Sequence, residues 1–393
     1  MPFQRLVMLI FFLQPIAFGS WLPRIPDIQA KLGLGPADLA IALLGMPVGI
    51  LITLPFAGRF VSRIGGRATI IYGFVAFLAV VSLPVFAESI EMLFVALMIV
   101  GVALSTLELG LNVEADRAEK TTGLVIMSRC HGFWSLGIMA GSLIGAGAMA
   151  LQVSAQWSIP VVALLVLPLA LSISAQLPAE AKAAAAASSA AAPVAPFKLP
   201  SLALLGICAF TFGITMTEGA IADWSAVYLK EVLSAGGAAT GLGYSVFACL
   251  VAAGRFGGDT MKARFGAVAI ARGCGSAALV GVLIVLFAPS TLVALIGFGA
   301  IGIGVSVGFP LAVTASAGLT DRPAAASVAI LSFMALLGFL VGPPVIGFVG
   351  EFWGLRTGLA ILLVPLTISL VFTRMLTPRT GESEAGVLAD EAA

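Results

Sequence analysis

Two carboxylates and two aromatic side chains interrupt one of the most apolar stretches of the sequence. Residues 216–230 read MTEGAIADWSAVYLK, which places Glu218, Asp223, Trp224 and Tyr228 in the second half of a predicted helix. An ionisable group inside a hydrocarbon slab is costly, so it normally faces a polar cavity or a partner. We predict that Glu218 binds a proton and that Asp223, Trp224 and Tyr228 contact a solute. The alternative is that both carboxylates lie at the watery end of the helix.

A third carboxylate stands in another apolar run. Glu108 falls in residues 92–111 and is followed by Asn112, the only asparagine of the chain. Residues four apart lie on the same face of an α-helix, so both side chains can address one cavity. A carboxyl group at membrane depth can take up and release a proton, so we predict proton binding at Glu108 and solute contact at Asn112. Alternatively, Glu108 pairs with a neighbouring helix or is hydrated near the membrane surface. The acidic residues that follow are expected to be solvated loop charges: Glu114, Asp116 and Glu119.

The chain's only histidine lies on a polar stripe. Ser128, His131 and Ser135 recur at helical spacing in a mostly apolar segment, and Trp134 shares their side. Histidine titrates in the physiological range, which suits a proton relay. A histidine within a membrane can equally hydrogen-bond a neighbouring helix. We predict proton coupling at His131 and solute contact at Trp134. Gln14, in the middle of the first apolar segment, is a further candidate for a hydrogen bond to a solute.

Composition indicates a membrane protein. Hydrophobic residues make up 60% of the chain and charged residues only 10%, whereas soluble domains carry about 25% charged residues. No basic cluster reaches the density that nucleic-acid binding requires. The four cysteines show neither a paired nor a mixed Cys/His spacing, so we expect no disulfide framework, no metal site and no cofactor. The N-terminus lacks the segments of a cleavable signal and is interpreted as a first membrane span.

Twelve windows of the sequence are long and apolar enough to cross a membrane, which takes about 20 residues. We predict an all-α membrane protein of two six-helix bundles, 1–177 and 200–377. Residues 178–199 form a cytoplasmic linker rich in Ala, Ser and Pro, and 378–393 form a cytoplasmic tail. The windows are 4–22, 38–57, 68–86, 91–111, 124–150, 157–177, 202–222, 239–256, 267–288, 291–312, 324–349 and 356–376.

The distribution of Lys and Arg predicts the orientation. With the N-terminus in the cytoplasm, sixteen of the 20 basic residues fall on the inner side, and only Arg24, Lys31, Lys230 and Arg356 fall on the outer side. Cytoplasmic loops carry the excess of Lys and Arg in membrane proteins. We therefore predict that both termini are cytoplasmic and that the protein resides in a bacterial inner membrane.

The two halves carry a common tetrapeptide. AGRF occurs at 57–60, after the second window, and again at 253–256, after the eighth. Both copies fall at the same place in a six-helix unit. Parallel six-helix repeats are a known way to build transporters, with the solute site between the halves near mid-membrane.

The loop after the second window resembles the signature of the major facilitator superfamily, Gly-x-x-x-Asp-Arg-x-Gly-Arg-Arg/Lys. Ser62 occupies the position of the usual Asp, which in that family takes part in a charge relay controlling the outward-facing state. In the second half Asp259 can supply the missing carboxylate. The residues assigned to this conformational motif are Gly58, Arg59, Arg63, Gly65 and Arg67 in the first half, and Gly254, Arg255, Asp259 and Arg264, at wider spacing, in the second.

Four further blocks carry a narrower resemblance. LNVEADRAE (111–119), MSRCHGFWSLG (127–137), TEGAIADWSAVYL (217–229) and GFPLAV (308–313) are similar to the subgroup of the rhizopine-locus membrane protein, the MosC-like proteins, distantly akin to fucose permeases. Fucose-permease relatives are thought to use a fourth-helix carboxylate for the proton, which Glu108 resembles in position. Related sugar carriers place polar side chains and a tyrosine gate on the seventh helix, similar in order to Glu218, Asp223 and Tyr228.

The resemblance implies a secondary transporter, expected as a monomer in the lipid bilayer. It would move a small polar solute such as a sugar, cyclitol or amino-sugar-like compound, coupled to protons by symport. The alternatives are a proton-antiport exporter of small organic or drug-like molecules, and a non-transporting sensor on the same fold. An enzyme is not expected, because no elbow motif or nucleophile pattern accompanies the single histidine. GxGxxG at 297–302 is interpreted as close helix packing, as is Gly137-x-x-x-Gly141-x-x-x-Gly145, because neither follows a strand.

Overall fold

Every regular element of the described chain is a helix. The structure, a computed structural model, describes residues 1–124, 126–179 and 199–377. The predicted tail and nearly all of the predicted linker lie outside the described residues, as do the side chains of Ser128 and Asp259. The bounds of the two predicted domains therefore stay predictions.

The first half contains six membrane spans, several of them built from consecutive helices. Span 1 changes direction at Pro15, and Ser89 begins span 4 by accepting a hydrogen bond from the amide of Met92 (3.2 Å). A side-chain oxygen at this position satisfies an amide that has no partner within the helix. The helices are Phe3–Leu13, Ile16–Trp21, Leu22–Arg24 and Ile25–Leu32 (span 1); Pro36–Leu43 and Gly45–Ile64 (span 2); Gly66–Val80 and Leu83–Phe86 (span 3); Ile90–Thr122 (span 4); Met127–Ala150 (span 5); and Ala155–Ser174 (span 6).

The second half repeats this plan. Its last helical segment, Ala326–Leu376, is 51 residues long, which is long enough to cross a membrane twice. Gly354 interrupts it with a positive φ of 81°, so span 11 ends and span 12 begins there. The helices are Leu202–Glu231 (span 7); Ala238–Phe265 (span 8); Ala267–Leu286 (span 9); Thr291–Val305 and Gly308–Ala317 (span 10); and Ala324–Ala360, Leu363–Phe372 and Thr373–Leu376 (spans 11 and 12).

These spans confirm the predicted fold class, although several are longer than their windows. Span 7 continues to Glu231 and span 8 to Phe265, beyond the predicted ends at 222 and 256. The hydropathy windows stop where charged residues begin, whereas a helix keeps its backbone hydrogen bonds in water as well as in lipid. The expectation that AGRF follows the second and the eighth span is therefore wrong, because 57–60 lies inside Gly45–Ile64 and 253–256 lies inside Ala238–Phe265.

Two glycines end equivalent helices in the two halves in the same way. Gly65, after span 2, has φ 85° and ψ 156°, and Gly266, after span 8, has φ 80° and ψ 158°. A side chain with a Cβ rarely adopts a positive φ, so glycine is the residue that permits this sharp turn. The repeated backbone conformation supports two copies of one six-helix unit.

Small residues let span 5 approach span 1 closely. A Cβ atom added to Gly137 or to Gly141 would collide with the carbonyl oxygen of Phe12 or Ile16, respectively. In span 10, a Cβ on Gly302 would meet the carbonyl of Phe247 in the same way. The interpretation of both glycine patterns as helix packing is confirmed.

The two halves meet at one end of the molecule, which we name the closed end. Gln29 donates a hydrogen bond to the carboxylate of Glu231 (2.7 Å), Lys230 donates to the carbonyl of Pro26 (3.1 Å), and the amide of Ala37 donates to Glu351 (3.1 Å). One continuous apolar core joins both halves beneath these contacts, whereas a second core is confined to the first half. Spans 1, 7 and 11 all finish at this end.

A cleft separates the halves toward the opposite end. The first helix of span 2, Pro36–Leu43, packs extensively on span 11, whereas its continuation, Gly45–Ile64, barely touches it. Spans 5 and 8 remain in contact along most of their length and form one wall. The cleft therefore widens toward the helix ends at Ile64, Thr122 and Phe265. In the predicted orientation this open end faces the cytoplasm.

Replacement of Gly141 by Ala tests the close approach of spans 1 and 5. The added methyl group would press on the Ile16 carbonyl and on the Cα of Gly19, 3.0 Å away. Overpacking of this kind costs about 1–3 kcal/mol, and the free energy of unfolding, measured by denaturant titration in detergent, should fall by that amount. Gly147→Ala in the same helix is the control, because nothing lies within 4 Å of its added Cβ. Equal losses from both variants would contradict the packing argument.

Candidate functional site

Arg255 joins three spans across the cleft. Its guanidinium donates to the carboxylate of Glu218 on span 7 (3.1 Å), to the hydroxyl of Ser135 on span 5 (2.8 Å) and to the carbonyl of Ser306 on span 10 (3.4 Å). Span 5 belongs to the first half, so this side chain connects the two bundles. The side chains of Arg255 and Glu218 are 14% and 15% exposed. The ion pair is thus mostly buried but still accessible from the cleft.

The local sequence of span 8 explains the position of Arg255. It lies ten residues before the end of the helix at Phe265, about 15 Å along its axis. The preceding Gly254 has no side chain, and a Cβ there would collide with the hydroxyl of Ser306. Spans 8 and 10 can therefore approach closely enough for Arg255 to reach the break in span 10 near Ser306. Ser135 in turn donates to the carbonyl of His131 (3.1 Å).

Glu218 and Asp223 are partly exposed carboxylates on span 7. Five residues apart, they project about 140° from one another around the helix axis, and Glu218 is the one with a described contact at the cleft, the ion pair with Arg255. Asp223 makes no hydrogen bond or ion pair within the described residues. Both carboxylates stay candidates. Tyr244, on span 8, is buried and lies against Phe247 (5.6 Å between ring centroids).

His131 and Trp134 lie on the same wall of the cleft. His131 is exposed, stacks edge-on against Phe11 (5.5 Å between ring centroids) and lies within electrostatic range of Arg255. The indole of Trp134 donates to the side-chain oxygen of Gln14 (2.8 Å). The amide nitrogen of Gln14 is fully buried and has no hydrogen-bond partner in the described structure. The predicted residues Gln14 and Trp134 are thus brought together, but Gln14 is completely buried, so solute contact by Gln14 would need a different conformation.

Glu108 and Asn112 form a separate group on span 4. Both are half-buried, and the Asn112 amide donates to the backbone carbonyl of Glu108 (2.9 Å). The Glu108 carboxylate has no hydrogen bond or ion pair within the described residues. No described hydrogen bond links this pair to Arg255. Proton binding by Glu108 and solute contact by Asn112 both stay predictions.

Trp224 and Tyr228 lie in the core of the second bundle rather than at the cleft. Both are completely buried. The Trp224 indole donates to the carbonyl of Pro343 (3.1 Å), and the Tyr228 hydroxyl donates to the carbonyl of Val285 (2.6 Å). In this conformation they brace span 7 against spans 9 and 11. Solute contact by these two residues would need a different conformation.

The residues of the conformational motif are spread over the open end. Arg67 donates to the carbonyl of Ala175 (2.6 Å) and so ties span 3 to span 6, and Arg264 stacks on Phe265 (5.2 Å). The other motif residues near these helix ends, Gly58, Arg59 and Arg63, are exposed. Arg255 is the one member of the assigned set whose described contacts place it at the cleft between the bundles.

Two acidic residues on span 4 differ from the sequence expectation. Glu114, expected to be solvated, is completely buried, accepts two hydrogen bonds from Arg117 (both 3.1 Å) and packs beneath Gly66. Glu119 accepts hydrogen bonds from the amides of Ile126 and Met127 (2.6 and 2.7 Å) at the start of span 5. A carboxylate at a helix N-terminus satisfies amides that lack helical partners. Both residues organise the open end of the first bundle.

Two apolar helical bundles around a polar cleft define a membrane carrier of solutes. The sequence profile of the Major Facilitator Superfamily matches residues 7–327. The chain therefore belongs to this superfamily and is a multi-pass membrane transporter rather than an enzyme, as predicted.

Its similar proteins agree with the predicted subgroup. Membrane protein MosC of Rhizobium meliloti is 29% identical over 381 residues, covering 95% of this chain and 90% of that protein. An uncharacterized MFS-type transporter of Yersinia pestis is 28% identical over 362 residues, covering 92% of each chain. The resemblance to the MosC-like proteins is thus confirmed.

Solved structures share the fold. A crystal structure of the nucleoside transporter NupG superimposes with a TM-score of 0.71 at 14% identity, covering 96% of this chain and 98% of that one. A bacterial homolog of the human lysosomal transporter Spinster, in an inward-facing and occupied conformation, gives 0.68 at 15% identity over 95% and 96%. At these identities the likeness establishes the fold alone.

A double-mutant cycle measures the ion pair at the cleft. Removing one partner of a mostly buried pair leaves a charge without compensation, at a cost of about 3–5 kcal/mol. We expect Glu218→Ala and Arg255→Ala each to lower the free energy of unfolding substantially, and the double variant to lose clearly less than the sum.

The surface pair Asp116–Lys120 provides the control for this cycle. Its side chains are 53% and 75% exposed at an N–O distance of 2.7 Å, and an exposed pair four residues apart on a helix contributes about 0.3–0.5 kcal/mol. Additive losses at Glu218 and Arg255 would show that the two side chains do not stabilise one another.

Proposed function

We propose that this protein is a secondary active transporter that moves a small polar solute across a bacterial inner membrane, coupled to protons. The observation that supports this most directly is the contact of Arg255 with Glu218 in its own bundle and with Ser135 in the other. Arg255, whose interaction with Glu218 depends on the charge of that carboxylate, thereby also connects the two bundles. We further propose a monomer with both termini in the cytoplasm, as the basic residues predict.

Alternating access follows from breaking and remaking a few contacts. Solute enters the cleft from the open end and reaches the group of polar side chains at Arg255. Proton binding to Glu218 removes the charge that holds the guanidinium, which frees Arg255 to change partners. The bundles then rock, the closed end opens and the former opening closes. Glu108 and His131, both partly or fully exposed in the described structure, are the further proposed proton sites.

The solute is proposed to be a sugar, cyclitol or amino-sugar-like compound. Asn112 can exchange hydrogen bonds with hydroxyl groups, as can Gln14 once a change of conformation exposes it, and the face of Trp134 can stack on a sugar ring. The nucleoside transporter NupG shares the fold, and nucleosides carry a sugar ring, so nucleosides belong in the same set of candidates. Carboxylates beside an aromatic ring also suit a cationic amine.

Replacement of Glu108 by Gln tests proton coupling. Glutamine keeps the shape and polarity of the side chain but cannot carry the proton, so solute-driven acidification of proteoliposomes should fall to background. The measurement is internal pH after external addition of sugars, cyclitols, amino sugars and nucleosides. Glu91→Gln, an exposed carboxylate near the start of the same helix, should retain wild-type proton entry.

The signs of the fluxes separate the alternatives. Proton entry that follows solute entry indicates symport, whereas internal alkalinisation on addition of solute indicates antiport with export as the physiological direction. Exchange of labelled solute without any pH change in the wild type would rule out proton coupling and the role of Glu108. A complete absence of flux for every solute class, from protein that unfolds cooperatively, would favour the non-transporting sensor.

A further inference from the structure

We propose that the carboxylate of Glu351 is the latch of the closed end, because it binds the N-terminus of a helix of the other bundle and thereby stabilises the closed state. Glu351 lies on span 11, and its partner helix is Pro36–Leu43, the first helix of span 2. The inference rests on the proposed alternating access. It adds the residue that sets the balance between the two conformations.

The partner helix begins without a cap of its own. The first amides of a helix have no acceptor within the helix and need one from outside. Gly35, at the position before the helix, has no side-chain oxygen, and no side-chain cap hydrogen bond is described there. Pro36 has no N–H group, so the first amide is that of Ala37. This amide donates to the carboxylate of Glu351 (3.1 Å), so the missing cap comes from the other bundle.

Glycine residues on both helices allow this approach. A Cβ atom on Gly35 would lie 2.6 Å from one carboxylate oxygen of Glu351 and 3.1 Å from the other. On span 11, Gly347 lies one turn before Glu351 and on the same helix face. A Cβ atom on Gly347 would collide with the side chain of Ala40 and with the carbonyl oxygen of Pro36. The close packing of the two helices thus brings Glu351 to the helix N-terminus.

The contact depends on the charge of Glu351. The N-terminus of a helix carries a partial positive charge, which stabilises a nearby carboxylate. Asp38 also lies in the first turn of Pro36–Leu43, but it belongs to that helix and moves with it. Glu351 is the described carboxylate that reaches this N-terminus from the second bundle. Because Glu351 is exposed, water can take its place at the amide, so the contact favours the closed state without making it permanent.

Hydrogen exchange of the full-length protein in lipid nanodiscs tests the latch. Glu351→Gln keeps the size of the side chain and removes its charge. We expect the ratio of open to closed molecules at this end to rise about two- to fivefold, the range for a charge at a helix terminus. Amides of Ile25–Leu32 and of 226–233 should then exchange faster by the same factor. These two segments meet across the closed end and have no described hydrogen bond to Glu351.

Gly35→Ala tests the same contact from the first bundle. The backbone at Gly35, with φ −69°, suits alanine, but the added methyl group would displace the carboxylate of Glu351. This variant keeps the charge and should still accelerate exchange in Ile25–Leu32. Because both substitutions break one contact, the double variant should exchange little faster than either single variant.

Glu91→Gln is the matched control. It removes a carboxylate from the first turn of span 4, at the same end of the molecule and within the first bundle. Exchange in Ile25–Leu32 should stay as in the wild type. Faster exchange confined to 36–41 in Glu351→Gln would show a local helix cap only and would overturn the latch. Independent, additive effects of Glu351→Gln and Gly35→Ala would overturn it as well.

Solute-driven proton flux distinguishes this failure from failure of the proposed function. Proton flux in the wild type, with no change of exchange at Ile25–Leu32 in Glu351→Gln, would retain coupled transport and overturn the latch. Faster exchange at both segments in Glu351→Gln, without any solute-linked proton movement in the wild type, would retain the latch and overturn proton coupling.

Discussion

The guanidinium of Arg255 is the contact on which the relation between the two bundles depends. A charge within the membrane must be compensated, and Glu218 provides the compensation from the adjacent span of the same bundle. The remaining N–H groups of the guanidinium then bind the Ser306 carbonyl and the Ser135 hydroxyl. The absence of a side chain at Gly254 allows this approach. Arg255 thereby connects the two walls of the cleft, and its contact with Glu218 depends on the negative charge of that carboxylate.

The contacts that join the two halves at the closed end are mostly polar and partly exposed. Its contacts between halves are hydrogen bonds and one long ion pair, Lys230 to Asp27, whose side chains are 39% and 34% exposed. Groups that already touch water exchange a protein partner for water at little cost. The apolar core beneath them supplies the opposing stability. A transporter needs both the water-exposed polar contacts and the apolar core at this end. A large apolar interface alone would stabilise one conformation too strongly for the protein to leave it.

The sequence predicts the spans well and the site only partly. Twelve apolar windows determine the fold because lipid permits only helices with satisfied backbones, and charges in spans 5 and 7 directed attention to His131 and Glu218. Trp224 and Tyr228 share helix 202–231 with Glu218, but a helix has several faces, and periodicity alone does not say which face meets the cleft. Their burial depends on the packing of spans 9 and 11 around span 7, which no local sequence pattern shows.

Arg255 and Tyr244 show a different limit of sequence interpretation. The match to a loop motif placed Arg255 among the residues that follow the eighth span, whereas span 8 continues ten residues beyond it. An arginine inside the eighth apolar window, with carboxylates inside the preceding span, is the signal that could have identified the pair. Tyr244 is one of only three tyrosines, yet nothing in its local sequence indicates that it is buried. That burial arises from the packing of span 8 against its neighbours.

The divergence of the two AGRF copies has a physical reason. Arg59 of the first copy is exposed, whereas Arg255 of the second crosses the cleft. If both arginines crossed the cleft, each would need a carboxylate partner. The movement of one bundle against the other would then have to separate ion pairs between the bundles. Separating a buried ion pair costs several kcal/mol, whereas a single hydrogen bond to a charged group contributes about 1.5–3 kcal/mol. Here the ion pair stays within the second bundle, and the first bundle offers only the hydroxyl of Ser135. The bundles can therefore separate at this point by breaking one hydrogen bond, because the ion pair itself does not span the cleft.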